Sequence, residues 1–388
     1  MNLTIVSTGQ FPDTHASAIR QSILVKGLSE QGHKITFLVL TPQNWYGNKS
    51  INHNNINFEA LNLYQGLNKF LKKYHALVSI FNARKILKKQ AKQNKIDALV
   101  IFTIEILPIF FLIKLAHSLN VKVFHERTEL PYALVGSSRK NKLLLNIYLR
   151  KLLPLFDGVF VISDKLNTYI QQFNPATQKL LTVVDLPFFT TSKPSVYAFK
   201  YIGYCGTISG NKDGVPILIE AFAKITHRFP ELKLVLVGNN SNKAAIKETL
   251  DAIKQLNLTD KVIFTGLVDR NMMPVILCNA EILVVSKPDN EQNAGNFPIK
   301  IGEYLATGKP LVATKVGEIP EFLKDGENAF LAIPGNAESF AQKMEEALSN
   351  LENASAIGLK GKKIAEDFFD YKIQASVMSD FISKTNQN

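Results

Sequence analysis

The chain runs to 388 residues, too long for one ordinary core, so two domains are expected. Hydrophobic residues make up 46% and charged residues 20%, which excludes a disordered chain. A net charge of +12 favours anionic partners: nucleotide phosphates, acidic lipid surfaces or nucleic acid. Two cysteines, Cys205 and Cys278, exclude a disulfide framework and a metal cluster. They fit a reducing cytosol and read as buried small hydrophobes. Met1–Ser7 lacks the basic start of a signal peptide. The most apolar run, Ala98–Leu115, holds Glu105 and Pro108 and falls short of a membrane span.

Leu3–Ser7 reads as a buried parallel strand, followed by a loop and a helix over Ala16–Glu30. Gly32-His33 closes that helix, and Lys34–Leu40 is the next strand. The loop lacks the three spaced glycines of an NAD fingerprint. Asn57–Asn62 reads as a strand and Gly66–Lys95 as a long basic helix. The expected role of that helix is core packing with a solvated face; the alternative is a membrane surface, since basic amphipathic helices bind anionic interfaces. Strands at Asp97–Thr103 and Val121–His125 flank a helix over Ile106–Ser118. Arg139–Phe156 repeats the basic amphipathic pattern, and strands at Asp157–Ser163 and Lys179–Val184 end this half. Pro187–Tyr197, with Pro, Ser, Thr and Lys, reads as the linker.

The second half restarts the alternation. Strands are expected at Tyr201–Cys205, Leu232–Val237, Lys261–Thr265, Glu281–Ser286, Pro310–Ala313 and Ala329–Ile333. Helices fill the gaps: Val215–Phe229, Lys243–Leu256, Arg270–Cys278, Pro298–Thr307 and Ile319–Lys324. Ala337–Glu366, with a break, and Asp370–Lys384 end the chain. Strictly alternating elements imply parallel sheets covered on both faces.

Two stretches carry chemistry. Gly203–Gly214 reads G-Y-C-G-T-I-S-G-N-K-D-G, a strand running through a glycine loop into a helix. Glycines admit a phosphate close to the backbone, and Lys212 supplies a point charge. Asn290–Thr314 places a short helix between two strands, with Asn296 as its expected cap, Pro298 in its first turn and Gly308 at its left-handed exit. Glu303 inside that helix suits the two hydroxyls of a ribose. The bland reading, a surface glutamate, is disfavoured by the flanking strands.

These residues resemble glycosyltransferase family 4, the glycosyl transferases group 1, over nearly the whole chain. The resemblance rests on F-P-x-K-x-x-E-Y-L-A-T-G-K-P-L-V-A-T from Phe297, K-D-G at Lys212, V-G at Val237, F-T-G at Phe264 and G-H at Gly32. The loop before Arg20 and a C-terminal helix add to it. It implies an α/β chain of GT-B architecture, two Rossmann-like parallel-sheet domains facing a central cleft. Residues 1–187 would form the acceptor-side domain, with 370–388 packing back onto it, and 198–369 the nucleotide-sugar domain. The implied activity is transfer of a hexosyl group from a UDP- or GDP-sugar, with retention, to a saccharide or to a polyprenyl- or lipid-linked acceptor. Polysaccharide, lipopolysaccharide or glycolipid synthesis would be its setting, in the cytoplasm or at the inner face of an anionic membrane. No metal, cofactor or nucleic acid is implied.

Carried over by residue, the ribose-binding glutamate falls on Glu303 and the phosphate-binding lysine on Lys212, which would also stabilise the leaving group. Gly266 and Leu267, with Val268, fall at the base. Gly9, in the loop to Ser17, falls near phosphates or acceptor. Gly206, Thr207, Phe297, Pro298, Ile299 and Lys300 complete the donor site. His125 falls where the family places a cleft histidine near the donor sugar; the alternative is a structural histidine bonded to the loop Glu126–Leu130. Arg127 and Glu129 are rim candidates, and Arg20 reads as a helix-surface residue.

The chain departs from the family at three places. Gly295 replaces the first glutamate of the paired motif, with Glu291 as a substitute. Thr207 replaces a phosphate-binding arginine, leaving Lys212 and Lys300 to neutralise the diphosphate. Thr14-His15-Ala16-Ser17 replaces a glycine pair. The rival readings are a nucleotide-sugar epimerase on the same architecture and a non-catalytic sugar-nucleotide-binding subunit. A nucleic-acid binder stands last, since the basic residues form no recognised module.

Overall fold

The computed structural model describes the chain except residues 9–15, 42–49, 54, 62–68, 135–137, 191–192, 209, 211, 240–242 and 388. It divides into two compact units, Met1–Val183 with Tyr371–Asn388, and Val184–Asp370.

The first unit holds strands β1 (Asn2–Ser7), β2 (Lys34–Val39), β3 (Ser50–His53), β4 (Ile56–Ala60), β5 (Ala98–Ile101), β6 (Lys122–Arg127), β7 (Gly158–Val161) and β8 (Thr177–Lys179). They form one sheet in the order β3-β4-β2-β1-β5-β6-β7-β8. All neighbours pair in parallel except β3, which pairs antiparallel with β4 at the edge. Leu3, Ile5, Phe37, Val39, Val100 and Phe124 of the central strands are buried together with Leu24 and Leu28 of the helix Ala16–Glu30. The C-terminal helix Tyr371–Gln387 closes this core through Tyr371, Ala375, Met378 and Ile382.

Arg20 is not the surface residue expected. It is 1% exposed, and its Nε donates to Glu126 Oε1 at 2.8 Å. Its remaining donors reach the carbonyls of Leu181 and Leu180 at 2.6 and 3.0 Å. A buried guanidinium is tolerated only when its charge and donors are met in this way.

The second unit holds β9 (Tyr201–Cys205), β10 (Lys233–Val237), β11 (Val262–Gly266), β12 (Ile282–Val285), β13 (Leu311–Thr314) and β14 (Phe330–Ala332). They form an all-parallel sheet in the order β11-β10-β9-β12-β13-β14. Its strands are near-continuous apolar runs because helices such as Val215–Ile225 and Ala337–Ser349 cover them. The chain steps one way from β9 to β10 and β11, and the other way from β12 to β13 and β14. The switch point, where ligands of such sheets bind, therefore lies outside the carboxyl ends of β9 and β12.

Several boundaries differ from expectation. Pro187–Tyr197 is part of the second unit, with Phe189 1% exposed and its carbonyl 3.1 Å from Cys278 Sγ. Cys205 and Cys278 are half-buried instead of fully buried. Pro298, not Asn296, is the cap of the helix Ile299–Ala306, and no side chain caps that end. Asn290 instead caps a preceding turn of helix, Glu291–Ala294. Gly308 does take the left-handed exit, with φ 74°.

Candidate functional site

The switch point of the second unit is built by two loops. The loop after β9 spans Gly206–Gly214 and feeds the helix Val215–Ile225; the one after β12 runs through Ser286–Asn296 to the helix Ile299–Ala306. Ser286 ties them together, its hydroxyl donating to the carbonyls of Asp213 and Gly214 at 3.1 and 3.0 Å. Gly214 has φ 67°, and a Cβ there would overlap the Ser286 carbonyl oxygen. Only glycine lets the two loops approach this closely. The backbone N–H groups opening Val215–Ile225 are thereby set at the strand ends, where an anion is favoured.

Charge is concentrated here. Asp213, 4% exposed, lies 2.8 Å from Lys300 Nζ and 3.7 Å from Lys287 Nζ. Burial alone raises its carboxyl pKa, but the charges of Lys300 and Lys287 outweigh that, and the net shift is downward. For Lys300, burial pulls the ammonium down, and Asp213 together with Tyr304 and Cys205 more than restores it, leaving the pKa raised. Lys287 also donates to Asn293 Oδ1 at 2.9 Å and to the Lys212 carbonyl at 3.1 Å. Asn293 donates to that same carbonyl at 3.1 Å. The backbone of Lys212 is thus fixed, and its side chain is half-buried.

Glu303 lies one turn along the helix from Lys300 and is 6% exposed. Its Oε1 is 2.6 Å from Arg270 Nη2. The contact lacks hydrogen-bond alignment, so Oε1 is a buried acceptor with no hydrogen-bond donor. Arg270 also lies over the rings of Phe188 and Phe189, at 4.8 and 5.4 Å from their centroids. Tyr304 accepts the Cys205 N–H at 2.5 Å and so pins this helix to the end of β9. Burial, reinforced by Glu303, pushes the Cys205 thiol up to about 12, so it stays protonated. Lys287, Asp213 and Lys300 form one cluster with the backbone of Lys212, and Glu303, on the same helix as Lys300, pairs with Arg270.

The remaining expected residues divide. Gly206 takes φ 153°, and a Cβ there would overlap Lys300 Nζ, so the ammonium sits directly beneath this turn. Thr207 is exposed and its carbonyl accepts from Tyr204 at 2.8 Å. Gly266 is left-handed and Leu267 is 76% exposed at the end of β11, open for a stacking partner. Pro298 is buried and Ile299 half-buried. Phe297 is a correction: at 2% exposed, its ring packs against Phe322 and Phe369, with centroids at 5.4 and 5.0 Å, and cannot line a site. Gly295 is buried, and Glu291, its expected substitute, is exposed. Gly9 lies outside the described residues.

His125 is a structural residue, but its partners are not in the loop Glu126–Leu130 that the structural alternative named. It is wholly buried, with Nδ1 2.8 Å from the Ile101 carbonyl and Nε2 3.0 Å from the Tyr148 hydroxyl. Its ring stacks on Phe156 at 4.7 Å. Burial, assisted by the Arg127 charge, lowers its pKa to about 3. A neutral imidazole with both nitrogens engaged has no atom left for a sugar. Arg127, named as a rim residue, is also buried, at 5% exposed. Asp213, Lys287, Asn293 and Arg270 received no role from sequence; the aspartate in K-D-G was the one available signal. No group of metal-ligating residues occurs among the described residues.

Residues 199–350 match the family described as Glycosyl transferases group 1. The N-acetyl-alpha-D-glucosaminyl L-malate synthase of Bacillus anthracis is 28% identical over 157 residues, 40% of this chain and 38% of that one. The lipopolysaccharide 1,2-N-acetylglucosaminetransferase of Salmonella typhimurium is 32% identical over 156 residues, 38% of this chain and 39% of that one. The chain thus spans less than half the length of these curated relatives. Among solved structures, sucrose-phosphate synthase of Thermosynechococcus elongatus superposes with a TM-score of 0.76 at 18% identity, over 98% of both chains. HepE of Anabaena, solved with UDP-glucose, gives 0.73 at 18% identity, over 98% of this chain and 99% of that one. At such identities the likeness shows the fold alone: two parallel-sheet α/β domains of the GT-B class. The segment 199–350 thus matches the model of the Glycosyl transferases group 1, the family its motifs resemble.

Proposed function

We propose that this chain is a retaining glycosyltransferase of family 4 that moves a hexosyl group from a nucleoside diphosphate sugar to a saccharide or lipid-linked acceptor. The supporting observation is the cluster at the switch point of the second unit. Three cations, Lys287, Lys300 and Arg270, contact two carboxylates, Asp213 and Glu303, and the charge of a fourth, Lys212, acts on Asp213 as well. The surplus positive charge suits a diphosphate, and Glu303 suits a ribose diol. HepE, solved with UDP-glucose, has the same fold and supports a nucleotide-sugar donor.

In the reaction the anomeric C–O bond to the diphosphate breaks, and negative charge grows on the leaving oxygen. Lys212, Lys300 and the N–H groups opening Val215–Ile225 stabilise that charge. Lys300 takes over from the arginine that Thr207 replaces, since its ammonium lies beneath Gly206. Reaction on one face of the sugar needs no pair of hydrolase-type carboxylates, and no side chain is assigned as a base.

A thermal-shift panel of UDP, GDP, ADP and their sugars tests the donor site, because a ligand selective for the folded state raises the melting temperature. One diphosphate and its sugars should shift it; no shift from any of them refutes the reading. Side-chain-free Gly295 favours a second reading, a non-catalytic binding subunit. Donor hydrolysis or transfer in an acceptor screen excludes it, and conversion of the nucleotide sugar without acceptor assigns an epimerase.

A further inference from the structure

Parallel strand–helix–strand crossovers are right-handed. In the first unit the chain steps one way from β1 to β2, and the other way from β4 to β5, β6 and β7. Helix Ala16–Glu30 therefore covers one face of the sheet, where it packs with Tyr371–Gln387. Helices Lys69–Lys92, Ile106–Ser118 and Arg139–Ile147 fall on the other. The first of these packs beside the second, and the second meets the turn Tyr148–Leu152.

The outer side of this layer is apolar where water would be expected. Helix Ile106–Ser118 buries Ile109, Leu112, Ile113 and Ala116, yet Leu107, Phe110 and Phe111 on its opposite side are 50, 36 and 45% exposed. The two phenyl rings meet edge to face at 5.6 Å, and Lys114 Nζ lies 4.5 Å over Phe110. Helix Lys69–Lys92 presents Phe81, 59% exposed, on one stripe with Arg84, Lys85 and Lys88. Helix Arg139–Ile147 buries none of its residues, and Leu143 is 60% exposed between Lys140 and Lys142 on one side and Arg150 on the other. The three stretches 69–92, 106–118 and 139–156 carry eight, one and five Lys or Arg and no acid; Glu105 borders them.

A contiguous exposed apolar face marks a contact surface. One set among cations, with Glu105 at the border of its central helix, complements a surface that is apolar within and negative outside, the property of an acidic bilayer. We infer that the first unit docks on an anionic membrane through Ile106–Ser118 and Arg139–Ile147, with Phe111 and Leu143 entering the headgroup boundary. The inference stands apart from the transferase reading, and its test reads no transfer.

The full chain is sedimented with phosphatidylcholine vesicles with and without about 30% phosphatidylglycerol. Binding is expected only to the anionic vesicles and should fall with salt. Each neutralised cation near the surface lowers affinity about fivefold, so Lys140→Gln/Lys142→Gln should lower it about 25-fold. Phe111→Ser/Leu143→Ser, at exposed positions that leave the fold intact, should weaken binding while keeping the melting temperature. Lys254→Gln/Lys360→Gln in the second unit should bind as the parent does. Absence of binding to the anionic vesicles, or an equal loss in that control, overturns the proposal. So does a dimer that Phe111→Ser/Leu143→Ser turns into a monomer with vesicles unbound throughout, which assigns the face to a second copy.

Discussion

Replacing Glu303 by glutamine tests the donor site most directly, because it keeps the side chain's size and removes its charge. The carboxylate is buried and Oε1 has no hydrogen-bond donor, so a ribose would give it the bonds it lacks. Hydrogen bonds to a charged group contribute about 1.5–3 kcal/mol each. Two such bonds, less the contact with Arg270 that they displace, should contribute about 2–4 kcal/mol. Removing both hydroxyls from the ligand should then weaken binding to the parent protein by about 30- to 1,000-fold. In Glu303→Gln only neutral bonds remain, at about 1 kcal/mol, and the same change should cost about fivefold. Titration calorimetry of both proteins with the best-binding nucleoside diphosphate and its 2′,3′-dideoxy analogue closes the cycle. An equal penalty for the missing hydroxyls in both proteins would falsify the ribose contact, whatever happened to overall affinity.

Asp213→Asn leaves Lys287 and Lys300 buried without a carboxylate and should destabilise the second unit by about 3–5 kcal/mol; chemical denaturation showing under about 1 kcal/mol would contradict the geometry of the cluster. Since the folded pKa of Asp213 is depressed, its stabilisation is present above the unfolded carboxylate range and is lost as pH falls through the folded value. His125 follows the same sign for a different reason: burial lowers it to about 3, so between its ordinary 6.5 and pH 5 the unfolded chain binds the proton first. Stability of the first unit should drop by about 2 kcal/mol over that interval, and His125→Asn should flatten the slope in urea titrations at the two pH values. Gly214→Ala drives a methyl group into the Ser286 carbonyl at a left-handed backbone position. It should abolish nucleotide-induced thermal shifts, and a variant that binds normally would show that the two loops need not touch.

The strands were legible because those buried on both faces are written as uninterrupted apolar runs; Ile282–Val285 and Leu311–Thr314 have no other reading. Strand β3 was not, because Ser50–His53 is polar except for Ile51 and pairs only at an edge. Helix-forming pattern marked 139–156 but not its passage into a π turn at Tyr148–Leu152. At the site, spacing located Lys212 and Glu303, since glycine turns and helix entries are local signals. It could not locate Lys287 or Arg270, whose carboxylates lie 74 and 33 positions away in sequence. Nor does a motif position tell which way a ring points: Phe297 belongs to the Phe322 and Phe369 cluster, and His125 is held by a neighbouring strand and by Tyr148.

The charges of the cluster are already paired with one another before any ligand arrives. A nucleoside alone would take Glu303 from Arg270, a guanidinium 18% exposed, and leave that cation uncompensated. A diphosphate would bring anionic oxygens into a cluster whose two lysines share one carboxylate, where each additional negative charge is favoured in the low-dielectric surroundings. Binding is therefore an exchange of ion pairs, and the gain comes from the phosphates. On this arrangement a nucleoside should bind far more weakly than its diphosphate, by more than hydrogen-bond counts suggest, and the difference should shrink when Lys300→Met removes one of the two lysines.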